Sequence, residues 1–431
     1  MLRSLDQILA GKRLVWLGVR GVDAWPLAQL RAFTDCFSLT QPLRAQCAVL
    51  DCSLETRMGR RFDLNTFEYD FENMGDLVAW REVFESKVSR YSATFPYKGS
   101  RFSWEAQVAR GGRDSYLGLF ADHQACFDNR VWIDAELQAQ GIRILPWQYA
   151  RPGDADGRVY AAVAGRPQVI RLARSSGGSG VDIAETPEDV DRLTGSVRSQ
   201  FSYTDYLEAS LPLNVGATVD HRGVVTVHGV SVQLVGVESC IHRRLGYCGN
   251  DFALVKDLDK DHLSALDRLV GQVGRWLASS GYRGAYGMDA LLHRGQIYFL
   301  EVNPRFQGSS GTSARLSREL DLPDIYLSHL AAFLRIDQQP TLDLEKLVHE
   351  QAKRSVVHLY NGAESVRVGA SESSVLSEAP ISGVPAPNVV VDPLAALCSV
   401  TFECSVTASG YTLRDFADAK VNTVLGAMLI S

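Results

Sequence analysis

Between Gly287 and Arg305 the chain reads Gly-Met-Asp-Ala-Leu-Leu-His-Arg-Gly-Gln-Ile-Tyr-Phe-Leu-Glu-Val-Asn-Pro-Arg, two apolar runs on either side of a polar His293-Arg294-Gly295 turn. That pattern predicts a β-hairpin. With the turn centred on Gly295, Asp289 and Glu301 stand opposite one another, and opposed residues of a hairpin share a face. Asn303, two residues beyond Glu301, shares it as well. Two carboxylates and an amide oxygen are hard ligands of the kind Mg²⁺ takes beside nucleotide phosphates, and Arg305 next to them can meet negative charge. A hairpin that merely showed its acids to water would have no need to gather them on one face while Leu300 and Val302 stay apolar.

The chain has 431 residues, enough for two to four compact units, and 46% apolar against 22% charged content is ordinary for a globular protein. A net charge of −6 argues against a nucleic-acid-binding surface, which needs a basic stripe. No apolar run reaches the roughly 20 residues that cross a bilayer. The first ten residues include Arg3 and Asp6 and lack an extended apolar core, so they make a poor signal peptide, and a cytoplasmic location is expected. The eight cysteines form no Cys-x-x-Cys pair and are expected to be free thiols, mostly buried.

Along the chain, Lys12 to Gly18 reads as a strand, followed by helical spacing from Trp25 to Phe33. Gly18 and Gly21 are too sparse for a dinucleotide fingerprint. Residues 61–100 mix aromatics and charges and suggest further helices and loops. Asp128 to Gln140 has helical spacing and leaves through Gly141-Ile142-Arg143-Ile144-Leu145-Pro146. Pro167 to Val181 is a strand bearing Arg171 and Arg174, running into a Ser/Gly loop with Gly177, Gly178 and Ser179. Backbone amides of such a loop can approach phosphates closely, and the same composition also suits a linker. Val224 to Val235 reads as sheet. Asp261 to Ser279 predicts an amphipathic helix with Leu263, Leu266, Leu269, Val270, Val273 and Leu277 on one stripe. His221, His228, His242 and His293 lack metal-ligand spacing. Beyond Pro340, short β-rich runs (Ser355 to Leu359, Val389 to Val391, Ser399 to Phe402) and a helix from Leu413 to Leu425 predict a small α/β unit.

The acidic residue followed by Glu301-x-Asn303-x-Arg305 resembles the metal hairpin of the ATP-grasp superfamily, whose members are mostly carboxylate–amine or carboxylate–thiol ligases. The motifs cover roughly residues 120–335. The resemblance implies an α/β fold: a Rossmann-like domain over 1–119 that binds no dinucleotide, ATP-grasp subdomains over 120–205 and 206–337, and a small C-terminal α/β domain over 338–431. It implies that Asp289, Glu301 and Asn303 hold Mg²⁺, as two ions for which Mn²⁺ can substitute. Arg305 would steady the transferring phosphoryl group. Two lysines that the family uses on ATP phosphates are absent here; Arg130 stands after Asp128-Asn129 in place of one, and Arg171 in place of the other, with a catalytic role, Arg174 being a second possibility there. Gly177, Gly178 and Ser179 would form the flap over the phosphates.

Phe201 to Asp220 resembles the family's hinge, where Leu207 would meet adenine through its backbone, with Glu208 as a polar contact and Asn214 at the ribose. Arg243 or Arg244 is a further cation in a region that relatives place against phosphate or substrate. The implied activity joins a small carboxylic acid to an amine through an acyl phosphate, with amino acids or small peptides as substrates, releasing ADP and phosphate; no nucleic acid or membrane is involved, and a homodimer is compatible with this. Carboxylase chemistry through carboxyphosphate is the alternative within the superfamily, and biotin carboxylases carry Glu-His-Pro shortly after Asn-x-Arg, where this chain has Phe306-Gln307-Gly308-Ser309. A nucleotide-binding regulatory protein without catalysis is the alternative outside it, since both lysines are replaced.

Overall fold

The computed structural model describes all residues except 44–48, 64–76, 152–156, 174–177, 179, 196–199, 339–341, 369–380 and 429–431. Gly177, Ser179 and Arg174 therefore lie outside the described residues.

The first sheet is parallel, with strands in the order Leu50–Ser53, Phe33–Thr40, Leu14–Arg20, Ala93–Pro96. Leu14–Arg20 is buried along nearly its whole length, which is why its sequence is a continuous apolar run rather than an alternating one. The helix expected from Trp25 to Phe33 is instead a 3₁₀ helix at Gly21–Gln29, and Phe33 opens the next strand. Pro26 sits inside that helix and cannot donate a backbone hydrogen bond, while aromatic and β-branched Phe33 and Thr34 suit the sheet. Trp16 packs edge-on against Phe95 of the same sheet and joins this unit to the rest of the molecule through tilted contacts with Phe306 and Tyr326.

A small antiparallel sheet follows, ordered Gln148–Ala150, Phe201–Asp205, Gln168–Leu172, Val181–Ala184. The largest sheet has eight strands: Gln296–Asn303, Gly284–His293, Leu211–Val219, Val225–Val235, Tyr247–Asp251, Ser355–Tyr360, Ala396–Phe402 and Ile381–Ser382. Helix Lys260–Ser279 packs on it through the apolar stripe read from its sequence, joined by Gly274 and Trp276. Asp259 caps its start, accepting from the His262 amide at 2.8 Å. The expected terminal helix is found at Asp415–Met428.

The C-terminal strands do not stand apart. Ser355–Tyr360 pairs directly with Tyr247–Asp251, so Ser355–Tyr360, Ala396–Phe402 and Ile381–Ser382 extend the central sheet. They also clasp the N-terminal unit: Arg61, fully buried, pairs with Glu55 at 2.7 Å and donates to the carbonyls of Gly383 and Leu397. Of the described cysteines, Cys36, Cys240, Cys248 and Cys398 are buried, and Cys126 and Cys404 are exposed. Among the described residues no helix is long and apolar enough to cross a membrane.

Candidate nucleotide and metal site

The hairpin turns at Arg294-Gly295, both with positive φ (48° and 73°), the geometry of a two-residue type I′ turn. This turn lies half a residue before the expected centre. A bulge at Leu300 restores the difference, and Asp289 pairs with Glu301. Gly295→Val is expected to destabilise the protein by about 1–2 kcal/mol, because a β-branched residue cannot take that φ without strain; a urea midpoint measures it, and an unchanged midpoint would show that the turn is not under that constraint.

On its other edge Asp289 pairs with Asn214, and Asn214 with Ser231, so one row of polar side chains crosses four strands: Glu301, Asp289, Asn214, Ser231. Asn214 donates to Asp289 Oδ1 at 2.6 Å and Gln233 to the same oxygen at 3.1 Å. Asn303 donates to Asp289 Oδ2 at 2.9 Å and reaches Glu301 Oε1 at 3.4 Å. Burial and then the Glu301 charge raise the Asp289 carboxyl to about 7. Burial opposes ionisation of Glu301 too, but Arg130 and Arg171 outweigh it and hold its carboxyl below the usual range. Two carboxylates this close repel, and a cation between them relieves that cost. Among the described residues no three His, Cys, Asp or Glu side chains converge, so the donor set here is two carboxylates with amides, all oxygen ligands. The set fits Mg²⁺.

These residues line one side of a cleft of about 260 Å³ between the small and large sheets. Arg130, Arg171, Gly178, Leu207, Asn214 and Arg305 line it as well, whereas Glu208 is exposed outside it. Arg130 donates to Glu301 at 2.6 Å and to the Leu172 carbonyl at 3.2 Å. Arg305 donates to the Tyr97 hydroxyl at 3.2 Å. Gly178 approaches the turn before Tyr247–Asp251 so closely that a Cβ would lie 2.4 Å from the Leu245 carbonyl oxygen. Leu207 sits in the short crossing between Phe201–Asp205 of the small sheet and Leu211–Val219 of the large one.

Two placements correct the sequence-based expectation. Asn214 does not have a free amide for a ribose: its nitrogen serves Asp289 and Gln307, and its oxygen accepts from Ser309 at 2.8 Å. Arg171 is 2% exposed and already committed, to Asp134, to Ser202 at 3.0 Å and to the Leu300 carbonyl at 3.3 Å, with its guanidinium 3.9 Å from the Trp147 ring. It is a buried support of the cleft wall. Arg243 is held by Asp63 at 2.6 Å and Arg244 by Glu185 at 2.7 Å; neither lines the cleft. Sequence reasoning missed Gln233, although Ser231 and Gln233 are two polar residues at strand spacing between Gly229 and Val235, the signal that would have found it. It also missed Gln307 and Ser309, which no periodicity marks.

The acidic row thus edges a cleft lined by residues of two antiparallel sheets. Residues 161–309 match the ATP-grasp domain family, and the chain carries an ATP-grasp domain within an ATP-grasp fold. Acetyl-CoA carboxylase of Dictyostelium discoideum is 26% identical over 155 residues, which is 35% of this chain and only 6% of that protein. Among solved structures, the biotin carboxylase domain of Hydrogenobacter thermophilus 2-oxoglutarate carboxylase, in complex with MgADP and bicarbonate, superposes with a TM-score of 0.64 at 12% identity, covering 91% of this chain and 86% of that one. L-amino acid ligase of Bacillus licheniformis gives 0.61 at 12% identity, covering 96% and 98%.

Proposed function

We propose that the protein is an ATP-dependent carboxylate–amine ligase acting on amino acids or small peptides. The observation that carries this reading is the row of Glu301 and Asp289 at the edge of a two-sheet cleft, with Arg130 and Arg305 beside it. Asp289, Glu301 and Asn303 would hold Mg²⁺, as two ions with Mn²⁺ as a substitute. Bound there, the metal supplies positive charge against the terminal phosphates of ATP. Leu207 offers its backbone to adenine, and apolar Val169, Val181 and Leu291 on the cleft wall suit the base. Gly178 brings backbone close to the phosphates, and Arg305 spreads its charge over the moving phosphoryl group.

A carboxylate oxygen of the acid attacks the γ-phosphorus, the bond to the β–γ bridging oxygen breaks, and ADP leaves. The amine lone pair then adds to the acyl carbon, the C–O bond to phosphate breaks, and the amine loses a proton. Binding and positioning do most of this work. A screen of amino-acid pairs with MgATP should find a pair that releases ADP and phosphate in equal amounts, dependent on both partners. Release that needs bicarbonate and no amine would favour carboxyphosphate chemistry, the reading that the acetyl-CoA carboxylase match supports. Against it stands the stretch after Arg305, where Gln307 and Ser309 are spent on tethering Asn214.

Removing the metal tests the site without turnover. MgADP at a hundredfold excess over its dissociation constant is expected to stabilise the fold by about 2.7 kcal/mol, read as a rise in thermal midpoint. ADP with EDTA should give much less. An equal rise in both would detach Asp289, Glu301 and Asn303 from nucleotide binding.

A further inference from the structure

A second cavity, about 880 Å³, opens beyond the nucleotide cleft. Its walls come from three places: the carboxyl ends of the parallel strands, helix Ser310–Glu319, and the outer strands Ser355–Tyr360, Ile381–Ser382 and Ala396–Phe402. Carboxyl ends of parallel strands are where such sheets place ligands. Two residues, Arg20 and Gly308, line both cavities. A Cβ at Gly308 would lie 2.4 Å from the Tyr247 hydroxyl, so the neck between the cavities stays open only while that position has no side chain.

Arg20 closes the strand Leu14–Arg20 and is held by Asp23, which accepts from its Nε at 2.9 Å. Its two terminal amino groups have no hydrogen-bond partner among the described residues, although the side chain is only 17% exposed. A largely sequestered guanidinium fork with free donors suits a carboxylate. Of the other arginines on the wall, Arg318 pairs with Asp324 at 3.1 Å and Arg354 with Glu319 at 2.7 Å, while Arg315 is exposed and lies over Trp25. The remaining wall is mixed, with apolar Val22, Trp25 and Val384 beside polar Gln41, His358 and Thr401. Its volume falls in the range of about 300–1,000 Å³ that takes drug-sized ligands, which is more room than a small acid fills.

We infer that this cavity binds the acid substrate, and that the acid is one with a bulky body whose carboxylate rests on Arg20 at the neck, facing the nucleotide cleft. The inference rests on the ligase reading and deepens it by naming the substrate class. Arg20 is then a binding residue that selects a carboxylate, and the room in the cavity selects the size of the acid.

The test is calorimetric titration of the MgADP-loaded protein with acetate and with 4-phenylbutanoate. The longer acid should bind at least tenfold more tightly. Arg20→Gln should weaken 4-phenylbutanoate tenfold or more, and Thr312→Trp, which fills the cavity from the helix, should weaken it similarly while leaving MgADP affinity unchanged. Equal binding of the two acids, or indifference of 4-phenylbutanoate to both substitutions, overturns the inference while bound MgADP leaves the ATP site standing. Failure of MgADP itself to bind overturns the ATP-site reading and this inference with it.

Discussion

Glu301→Gln is expected to lower ATP turnover by about a thousandfold, the scale on which losing one preorganised electrostatic group slows an enzyme. The amide keeps the shape of the side chain but removes the charge that faces Arg130 and completes the acidic pair with Asp289. Gel filtration and far-UV circular dichroism should match the parent protein, since Glu301 sits at the cleft edge and not in an apolar core. Steady-state ADP production measures the effect. A variant that turns over near the parent rate would remove Glu301 from the metal site.

For Arg171 the expected loss is in the fold. Arg171→Met should cost about 3–5 kcal/mol, the usual penalty for stripping one partner from a buried ion pair. Asp134 would remain 2% exposed with only the Tyr149 hydroxyl, at 2.9 Å, among its present polar partners. Burial already holds the Asp134 carboxyl above its ordinary range even with Arg171 beside it. The Leu300 carbonyl, at the bulge that sets the Asp289 to Glu301 pairing, would lose its donor as well. Damage should therefore spread to the metal hairpin. A urea midpoint reports the stability, and an unchanged midpoint with weakened ATP binding would return Arg171 to the phosphates.

The contrast between these two residues shows what was legible in the chain. Local periodicity carried the hairpin and the helix at Lys260–Ser279, because each buries a face whose spacing the sequence displays. The pairing of Asp289 with Glu301 was also readable, though two offsets cancel in it: the turn falls at Arg294-Gly295 and the Leu300 bulge compensates. What periodicity cannot show is a partner far away in sequence. Arg171 meets Asp134, thirty-seven residues distant, and that pairing turns a residue expected at phosphate into a buried support. Asn214 likewise faces Asp289 across a sheet, seventy-five residues on, and its amide is consumed there. The junction of the C-terminal strands with the central sheet depends on similar non-local pairing.

The central claim is that the acid is activated by the terminal phosphoryl group. Hydroxylamine is a strong small nucleophile that can replace the natural amine, so incubation with MgATP and a panel of carboxylic acids should trap the activated acid as its hydroxamate. The measurement that decides is the nucleotide formed beside it. ADP and phosphate, in step with hydroxamate and lost in Glu301→Gln, is the predicted result; AMP and pyrophosphate beside the hydroxamate would contradict it.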